Sequence, residues 1–561
     1  MFFIYIVSIL LILVICTFIP FFLILRKIIT HNYLDNTELL VLTPVISLAA
    51  FGYLAFTNYI LNTNQTLNNI SFLILICFLA IITKSKKSVK WVDLKFLFAP
   101  FCLLILLFLG LQSLIKLYTG AFSYGDWYMH YEISQFYLLH KPLSTSFIGQ
   151  VYFVPSRTPF FNLICAFFLS IFKNNFYTFQ VISYFLNSLF ILPLILIYKK
   201  YINSRYGLRF LVIFCLINPY IYYRITLTTP KFLTAFFFLC GLYFYLKIRN
   251  TKKENIKHLD IFFSGLFLGI TVLCHSSFVF YVIGLYIDFL ILKLKKKTFL
   301  TWLDDLYIFF IFSLTLIPWL IWLFMNFKLS VILGSSPTAL LTANKSLMDW
   351  VIQHFANSIF TLFPFGLIWG IIKFAQCRIN TVSFVNMIQG TYIATVPGIL
   401  SFSLAFLLLS RILQKKYKDI ICLLKENQLY VILITIGFIG SILPEPTWYL
   451  IGLAHNSLDI SFLLILLLTV KYIFNKPLKK LAFVIIIFEN LLITWGFVLY
   501  QIFYNNFRYL GPQKNLILKT SNHVIYIFDT LGSYWLLLLI ITLLLQIFII
   551  RKYKRELGAQ S

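Results

Sequence analysis

Three titratable side chains stand close together in the segment 116–159: Asp126, His130 and Glu132. A carboxylate at a membrane surface is partly desolvated, which raises its pKa towards the range that suits a general base. If the segment is helical, Asp126 and His130 share one face at positions i and i+4, whereas Glu132 points away from Asp126. The pair therefore predicts acid–base catalysis, with Asp126 as the base and His130 beside it.

Two other interpretations of this pair stay open. Asp126 could simply cap the start of a helix, and His130 could be a hydrogen-bonded structural residue. The i, i+4 spacing could also hold a divalent cation, but two ligands are too few to define a metal site. We therefore assign no metal ligands and no cofactor, and leave a divalent cation as an open option.

A second group of polar side chains consists of cations next to apolar segments. Arg157 lies in the sequence PSRTP, Arg224 and Lys231 flank a threonine-rich turn, and His275 precedes two serines at the end of a later apolar run. Cations at a membrane edge pair well with a phosphate group, although long side chains also reach lipid headgroups without any such role. The sequence predicts these four residues as ligands of a phosphorylated substrate.

A third polar turn, LPEPTWYLIGLAHNSLD, carries Glu445, His455 and Asp459. Asp459 lies at the mouth of an apolar run, and an ionisable residue in that setting is a functional-site candidate by default. The sequence does not decide whether Asp459 contacts a substrate or packs against another side chain.

The composition places all of these residues in a membrane protein. Of the 561 residues, 61% are hydrophobic and 11% are charged, against about 25% charged in soluble domains. Apolar runs of about 18 residues or more recur along the chain, and such continuous runs cross lipid as α-helices. The predicted class is an all-α, polytopic integral membrane protein. The net charge of +28 does not indicate nucleic-acid binding, because the lysines and arginines form short clusters between apolar runs.

The basic clusters also predict the topology, since such clusters remain on the cytoplasmic side. About fifteen transmembrane helices place every strong cluster inside and the loop 117–177 outside. Within this loop, residues 158–172 are apolar but too short to span, which predicts a helix in the outer membrane interface. We expect three regions. Residues 1–95 form additional N-terminal transmembrane helices, and residues 96–325 form the core with the candidate site. Residues 326–561 form C-terminal helices and include the outer segments 326–390 and 501–531.

The order of these motifs resembles the GT-C superfamily of membrane glycosyltransferases over roughly residues 95–325. The resemblance rests on Asp126 in the first large outer loop, the segment SRTPFFNL, the basic inner turn KKYINSRYGLR and the continuation TTPKFLTAFFFLCGLYFYL. The superfamily includes the protein O-mannosyltransferases, the bacterial aminoarabinose transferase for lipid A and mycobacterial arabinosyltransferases. This chain differs in its additional N-terminal spans and in having Asp126 followed by Trp127 where the superfamily has two adjacent acids.

In that superfamily, an acidic residue of the first outer loop serves as the base or positions the acceptor, and basic residues near the outer ends of later spans hold the phosphate of a polyprenyl-linked sugar. The resemblance implies these roles for Asp126 and for Arg224 and Lys231. It implies transfer of a sugar from a polyprenyl-phosphate donor to a glycan, lipid or protein acceptor on the extracytoplasmic face. The abundance of Phe, Ile, Lys and Asn is typical of an AT-rich genome, so we expect a bacterial inner membrane.

Two alternative functions remain from the sequence. A polysaccharide polymerase or ligase also works on lipid-linked glycans, and would place important cations in a late outer loop such as 501–531, where Arg508 lies. A transporter or flippase of lipid-linked glycans would show inverted repeats and discontinuous helices. The charges in or beside apolar runs, Asp288, Asp459 and Glu489, show no pairing in the sequence that supports transport.

Overall fold

A computed structural model describes most of the N-terminal 334 residues and several helices of the C-terminal part. The described ranges, apart from a few isolated positions, are 2–29, 33–83, 91–114, 126–148, 152–202, 205–226, 228–250, 258–295, 302–334, 424–442, 458–473, 490–495 and 532–558. Most of the predicted outer segment 326–390 and all of 501–531 lie outside these residues.

Helices make up nearly all of the described chain, which confirms the predicted all-α class. The α-helices are α1 (Phe2–Ile28), α2 (Asn36–Ile60), α3 (Gln65–Ile82), α4 (Trp91–Gln112), α5 (Asp126–Leu138), α6 (Phe160–Ile171), α7 (Phe176–Ser188), α8 (Ile191–Ile197), α9 (Arg205–Ile217), α10 (Pro219–Thr226), α11 (Lys231–Asn250), α12 (His258–Cys274), α13 (Val279–Leu294), α14 (Trp302–Asn326), α15 (Leu329–Gly334), α16 (Gln428–Ile442), α17 (Asp459–Ile473) and α18 (Trp535–Gly558).

Eight helical segments of the described residues are long and apolar enough to cross a membrane. They are Ile4–Ile28, Asn36–Ile60, Gln65–Ile82, Phe176–Ile202, Lys231–Asn250, Ser276–Leu294, Trp302–Asn326 and Trp535–Lys552. Several shorter apolar helices, such as α9 and α12, lie among them. The chain is thus a polytopic membrane protein, and the total of about fifteen spans stays a prediction.

Glycines bring α12 and α14 close together. A Cβ atom added at Gly265 would lie 2.7 Å from the Ile308 carbonyl oxygen, and one at Gly269 would lie 2.7 Å from Thr315 Cβ. Residues four apart share one helix face, and small residues at this spacing let two helix backbones approach in a membrane. The contact fixes α12, which His275 directly follows, against its neighbour.

The first large loop contains α5, a β-hairpin and α6. The condition under which Asp126 and His130 share one helix face is met, because α5 begins at Asp126. A position at the start of the helix also agrees with the alternative that Asp126 caps it. Strands β1 (Phe147–Ile148) and β2 (Tyr152–Phe153) pair antiparallel, with Phe147 opposite Phe153. Helix α6 has 12 residues and a length of about 18 Å, too short to span. Its side chains are buried inside the protein, and Phe167 stacks on Phe51 of α2 at 4.4 Å between ring centroids.

Charged residues occupy both ends of α11. Lys231 begins the helix, and Lys247 lies about 24 Å further along its axis at 1.5 Å per residue. The Lys247 Nζ lies 3.2 Å from Asp260 Oδ1 and 3.7 Å from Glu38 Oε1, so an ionic network joins α2, α11 and α12 there. Lys247, which is part of this network, and the predicted substrate ligand Lys231 therefore lie at opposite ends of the same helix.

Candidate functional site

His130 lies on α5 and is buried against α6. Its Nδ1 lies 3.0 Å from Asn162 Oδ1, and its ring contacts Phe161 edge-on at 5.5 Å between centroids. Because an amide oxygen only accepts, Nδ1 carries a proton in this arrangement. Asn162 is fully buried, and its Nδ2 has no hydrogen-bond partner among the described residues. The contact with Asn162 therefore fixes the orientation of His130 and leaves a buried amide donor beside it.

Arg157 follows the β-hairpin directly. Residues Val154–Ser156 form one turn of 3₁₀-helix that includes Pro155, and the Arg157 backbone N–H donates to the Val154 carbonyl at 3.1 Å. The residue is half-buried and comes just before α6. The hairpin and this turn place Arg157 next to the end of α6 that carries Asn162.

Arg224 and Lys231 lie on either side of the break between α10 and α11. Pro219 is the first residue of α10, where the missing N–H costs no helical hydrogen bond, and the Ile221 N–H donates to Asn218 Oδ1 at 3.3 Å. Pro230 immediately precedes α11. Arg224 and Lys231 are 3% and 8% exposed, so both cations lie inside the protein rather than at lipid headgroups. The structure therefore does not show Arg224 and Lys231 in contact with lipid headgroups, which was the alternative interpretation of their sequence position.

Asn187 of α7 holds the turn in front of Lys231. Its Nδ2 donates to the Thr229 carbonyl at 2.8 Å, and its Oδ1 accepts from the Leu233 backbone N–H at 2.9 Å. Leu233 is the third residue of α11, so a side chain from another helix caps this N-terminus. Asn187 is fully buried, and its two contacts fix the backbone on both sides of Lys231.

His275 lies in the short connection between α12 and the 3₁₀ turn Ser276–Phe278, outside both apolar segments. Its Nδ1 lies 2.7 Å from Ser277 Oγ. Burial lowers the pKa of His275 well below its usual range, and Lys231, Arg157, His130 and Arg224 lower it further, in that order. The imidazole is therefore neutral at physiological pH. Part of the His275 surface is still accessible.

The structure thus brings together five of the six residues that the sequence singles out. Arg157, Arg224, Lys231 and His130 all act electrostatically on the His275 ring, although these four residues come from four separate elements or turns of the chain. The side chain of the sixth, Asp126, lies outside the described part of the structure, but its backbone begins the helix that carries His130 one turn later. The roles of the six residues stay predictions.

No metal-binding group is found among the residues that the structure describes, since no three His, Cys, Asp or Glu side chains there lie close enough to hold an ion. This does not include the side chain of Asp126. Glu132, which the sequence ranks below Asp126, is partly buried on α5, and this burial raises its pKa, while Lys141 lowers it in part.

Two acids that the sequence left without partners are paired in the structure. Asp459 Oδ1 lies 3.1 Å from Arg224 Nε, and Asp288 Oδ2 lies 3.0 Å from Arg249 Nε. The Asp459 pair adjoins the candidate site, whereas Asp288 lies near the basic end of α11. The sequence analysis also missed Asn162 and Asn187. Each could have been recognised as a polar amide side chain within an apolar run.

Comparison with known proteins bears on the same region. Residues 156–322 match the family model of dolichyl-phosphate-mannose-protein mannosyltransferases, a GT-C-type family. The matched segment contains Arg157, Arg224, Lys231 and His275, and the predicted resemblance to the GT-C superfamily is confirmed. No curated protein and no solved structure matches the chain. The family match and the apolar helices together indicate an integral membrane glycosyltransferase of the GT-C type with a lipid-linked sugar donor.

Proposed function

We propose that this protein transfers a sugar from a polyprenyl-phosphate donor to an acceptor hydroxyl on the extracytoplasmic face of a bacterial inner membrane. The observation that carries the proposal is the cluster of Arg157, Arg224 and Lys231 around the neutral His275, inside the segment that matches the mannosyltransferase family. Three buried or half-buried cations around one ring suit a phosphate group, which offers several acceptor oxygens and a negative charge.

The cationic cluster binds the donor phosphate and stabilises it as it leaves. A polyprenyl-phosphate sugar carries one negative charge on its phosphodiester, and the departing polyprenyl phosphate carries nearly two. Fixed cations in a site of low dielectric therefore interact more strongly with the transition state than with the bound donor, which lowers the barrier. When Ser277 donates to Nδ1 of His275, the ring presents Nε2–H as a further neutral donor towards the phosphate.

Asp126 acts as the general base in this proposal. Its carboxylate takes the proton from the acceptor hydroxyl, the hydroxyl oxygen forms a bond to the anomeric carbon, and the bond from that carbon to the phosphate oxygen breaks. The direct displacement inverts the anomeric centre. His130 lies one helical turn from Asp126, and its contact with Asn162 keeps the imidazole in one orientation beside the reacting groups.

The outward orientation of the site is supported by charge. Lysines and arginines cluster on the cytoplasmic side of membrane proteins. Lys247 and Lys293 both belong to ion pairs at the ends of α11 and α13 that lie away from His275. The end that carries Lys231 and His275 would then face the extracytoplasmic side.

The proposal is tested by transfer from a synthetic polyprenyl-phosphate mannose, the sugar that the matched family suggests, to candidate acceptors in nanodiscs. We expect Lys231→Met to raise the KM for the donor about 10- to 100-fold, since a hydrogen bond to a charged group contributes about 1.5–3 kcal/mol. Lys295→Met is the matched control, because Lys295 is an exposed lysine at the opposite end of α13 from His275.

Three results would contradict the proposal. The first is equal donor KM values for Lys231→Met and Lys295→Met. The second is movement of the lipid-linked sugar across the bilayer without formation of a new glycosidic bond, which would indicate a flippase. The third is transfer only from nucleotide sugars, which would remove the need for a lipid phosphate.

A further inference from the structure

A buried ion pair connects the candidate site to the C-terminal part of the chain. Asp459 is the first residue of α17, outside the matched segment 156–322. Its Oδ1 lies 3.1 Å from Nε of Arg224, and the two side chains are 0% and 4% exposed, respectively. Both charges are thus removed from water and held against each other.

The contact constrains the guanidinium in a specific way. The five N–H donors of arginine lie in one rigid plane, so a carboxylate that holds Nε also fixes the directions of the two terminal NH₂ groups. Without that carboxylate, the buried guanidinium loses a counter-ion and can rotate towards other acceptors. A buried charge without its partner is strongly destabilising, so the Arg224 side chain would lower its free energy by moving towards another acceptor.

The docking of α17 does not depend on this ion pair alone. Ser461, half a turn further along α17, contacts Tyr281 of α13: the two hydroxyl oxygens lie 2.9 Å apart, and the Ser461 N–H donates to the Tyr281 hydroxyl at 3.3 Å. Apolar residues of α17 such as Leu463 and Leu467 are fully buried. Helix α17 therefore has its own anchors, and the Asp459 carboxylate is available to act on Arg224.

We propose that Asp459 is a positioning residue for the transfer reaction, whose carboxylate fixes the Arg224 guanidinium in the orientation that binds the donor phosphate. The inference rests on the proposed function of the cationic cluster. It extends the site to a residue far along the chain and assigns a role to an acid that the sequence left undecided.

The test is a double-mutant cycle that measures the binding of farnesyl phosphate to the full-length protein in detergent, with farnesol as the probe that lacks phosphate. The variants are Asp459→Asn, Arg224→Gln and the double variant. We expect Asp459→Asn to weaken farnesyl phosphate binding at least tenfold and to leave farnesol binding unchanged. In the Arg224→Gln background, the same change should alter the affinity less than twofold, because Asp459 acts through Arg224.

Two further variants separate positioning from a structural role. Ser461→Ala removes an anchor of α17 and should lower the melting temperature without changing the affinity for farnesyl phosphate. Asp459→Glu keeps the charge with one more methylene, and should bind farnesyl phosphate more tightly than Asp459→Asn does. If Asp459→Asn does not fold alone, Asp459→Glu takes its place in the cycle. In the protein that keeps Arg224, we then expect Asp459→Glu to lower the affinity for farnesyl phosphate measurably.

Each outcome has a separate meaning. Unchanged affinity in Asp459→Asn, or an equal loss with and without Arg224, would overturn the positioning role. A drop in kcat with unchanged affinity and unchanged donor KM would also overturn it, since Asp459 would then act in the chemical step. If the unaltered protein binds farnesyl phosphate and farnesol equally well, the proposed phosphate site itself is wrong. This comparison needs no variant.

Discussion

Asn187 offers a sharp test of how the site is held in place. Its amide makes hydrogen bonds to the backbone on both sides of Lys231, with Nδ2 at 2.8 Å from the Thr229 carbonyl oxygen and Oδ1 at 2.9 Å from the Leu233 nitrogen. Asn187→Leu keeps a side chain of similar size and removes both bonds. The Thr229 carbonyl and the Leu233 N–H would then face an apolar side chain.

The expected cost follows from these two groups. A buried polar group left without a partner costs about 1–3 kcal/mol, so the two together cost about 2–6 kcal/mol if the turn stays in place. The turn can avoid part of this cost only by moving towards other partners. Because Lys231 begins α11 between the two affected groups, that movement displaces its ammonium from the site. We expect a lower melting temperature and an increase of at least about tenfold in the donor KM, which corresponds to about 1.4 kcal/mol.

The measurement compares Asn187→Leu with Ser188→Ala in the transfer assay and in thermal unfolding. Ser188 is the next residue of α7, is fully buried, and donates only within its own helix, to the Tyr184 carbonyl at 2.9 Å. We expect Ser188→Ala to keep the donor KM. An unchanged donor KM in Asn187→Leu, at whatever melting temperature, would refute the claim that this amide positions Lys231.

Three further predictions concern catalysis, pH and packing. Asp126→Asn should reduce kcat at least about 100-fold without a loss of folded protein, since general-base catalysis contributes about 10²–10⁴-fold; near-normal turnover would exclude Asp126 as the base. Below pH of about 6.5 the unfolded state binds a proton that the buried His275 does not, so stability should fall by up to about 1.4 kcal/mol per pH unit. The melting temperature of His275→Asn should therefore fall less between pH 7 and 5.5 than that of the unaltered protein, and equal falls would contradict a lowered pKa. Gly269→Val should destabilise the protein by about 1–3 kcal/mol because the new side chain meets Thr315 of α14, and an unchanged melting temperature would show that α12 and α14 do not pack this closely.

The elements around the site were largely predictable from local patterns. Continuous apolar runs predicted the long apolar helices, and the shorter run 158–172 predicted a shorter helix, which is α6. The spacing of Asp126 and His130 would put both on one face if the segment were helical, and α5 carries both. Such predictions succeed because each depends on residues that are close together in the sequence.

The contacts that hold the site were not predictable in the same way. Asn162 binds His130, Asn187 binds the turn before Lys231, and Asp459 binds Arg224, each across two separate elements. A polar side chain in an apolar run indicates that it must have a partner, but the sequence does not say which one. The burial of α6 by neighbouring helices likewise depends on the assembled fold.

The most direct test of the central claim is a cryo-EM structure of the protein with a bound polyprenyl phosphate. We predict density for the phosphate beside His275, with its oxygens about 2.7–2.9 Å from the Lys231 ammonium and from the guanidinium of Arg157 or Arg224. Phosphate density at the other end of α11, beside Lys247, would contradict the account, as would a lipid phosphate that contacts none of these cations.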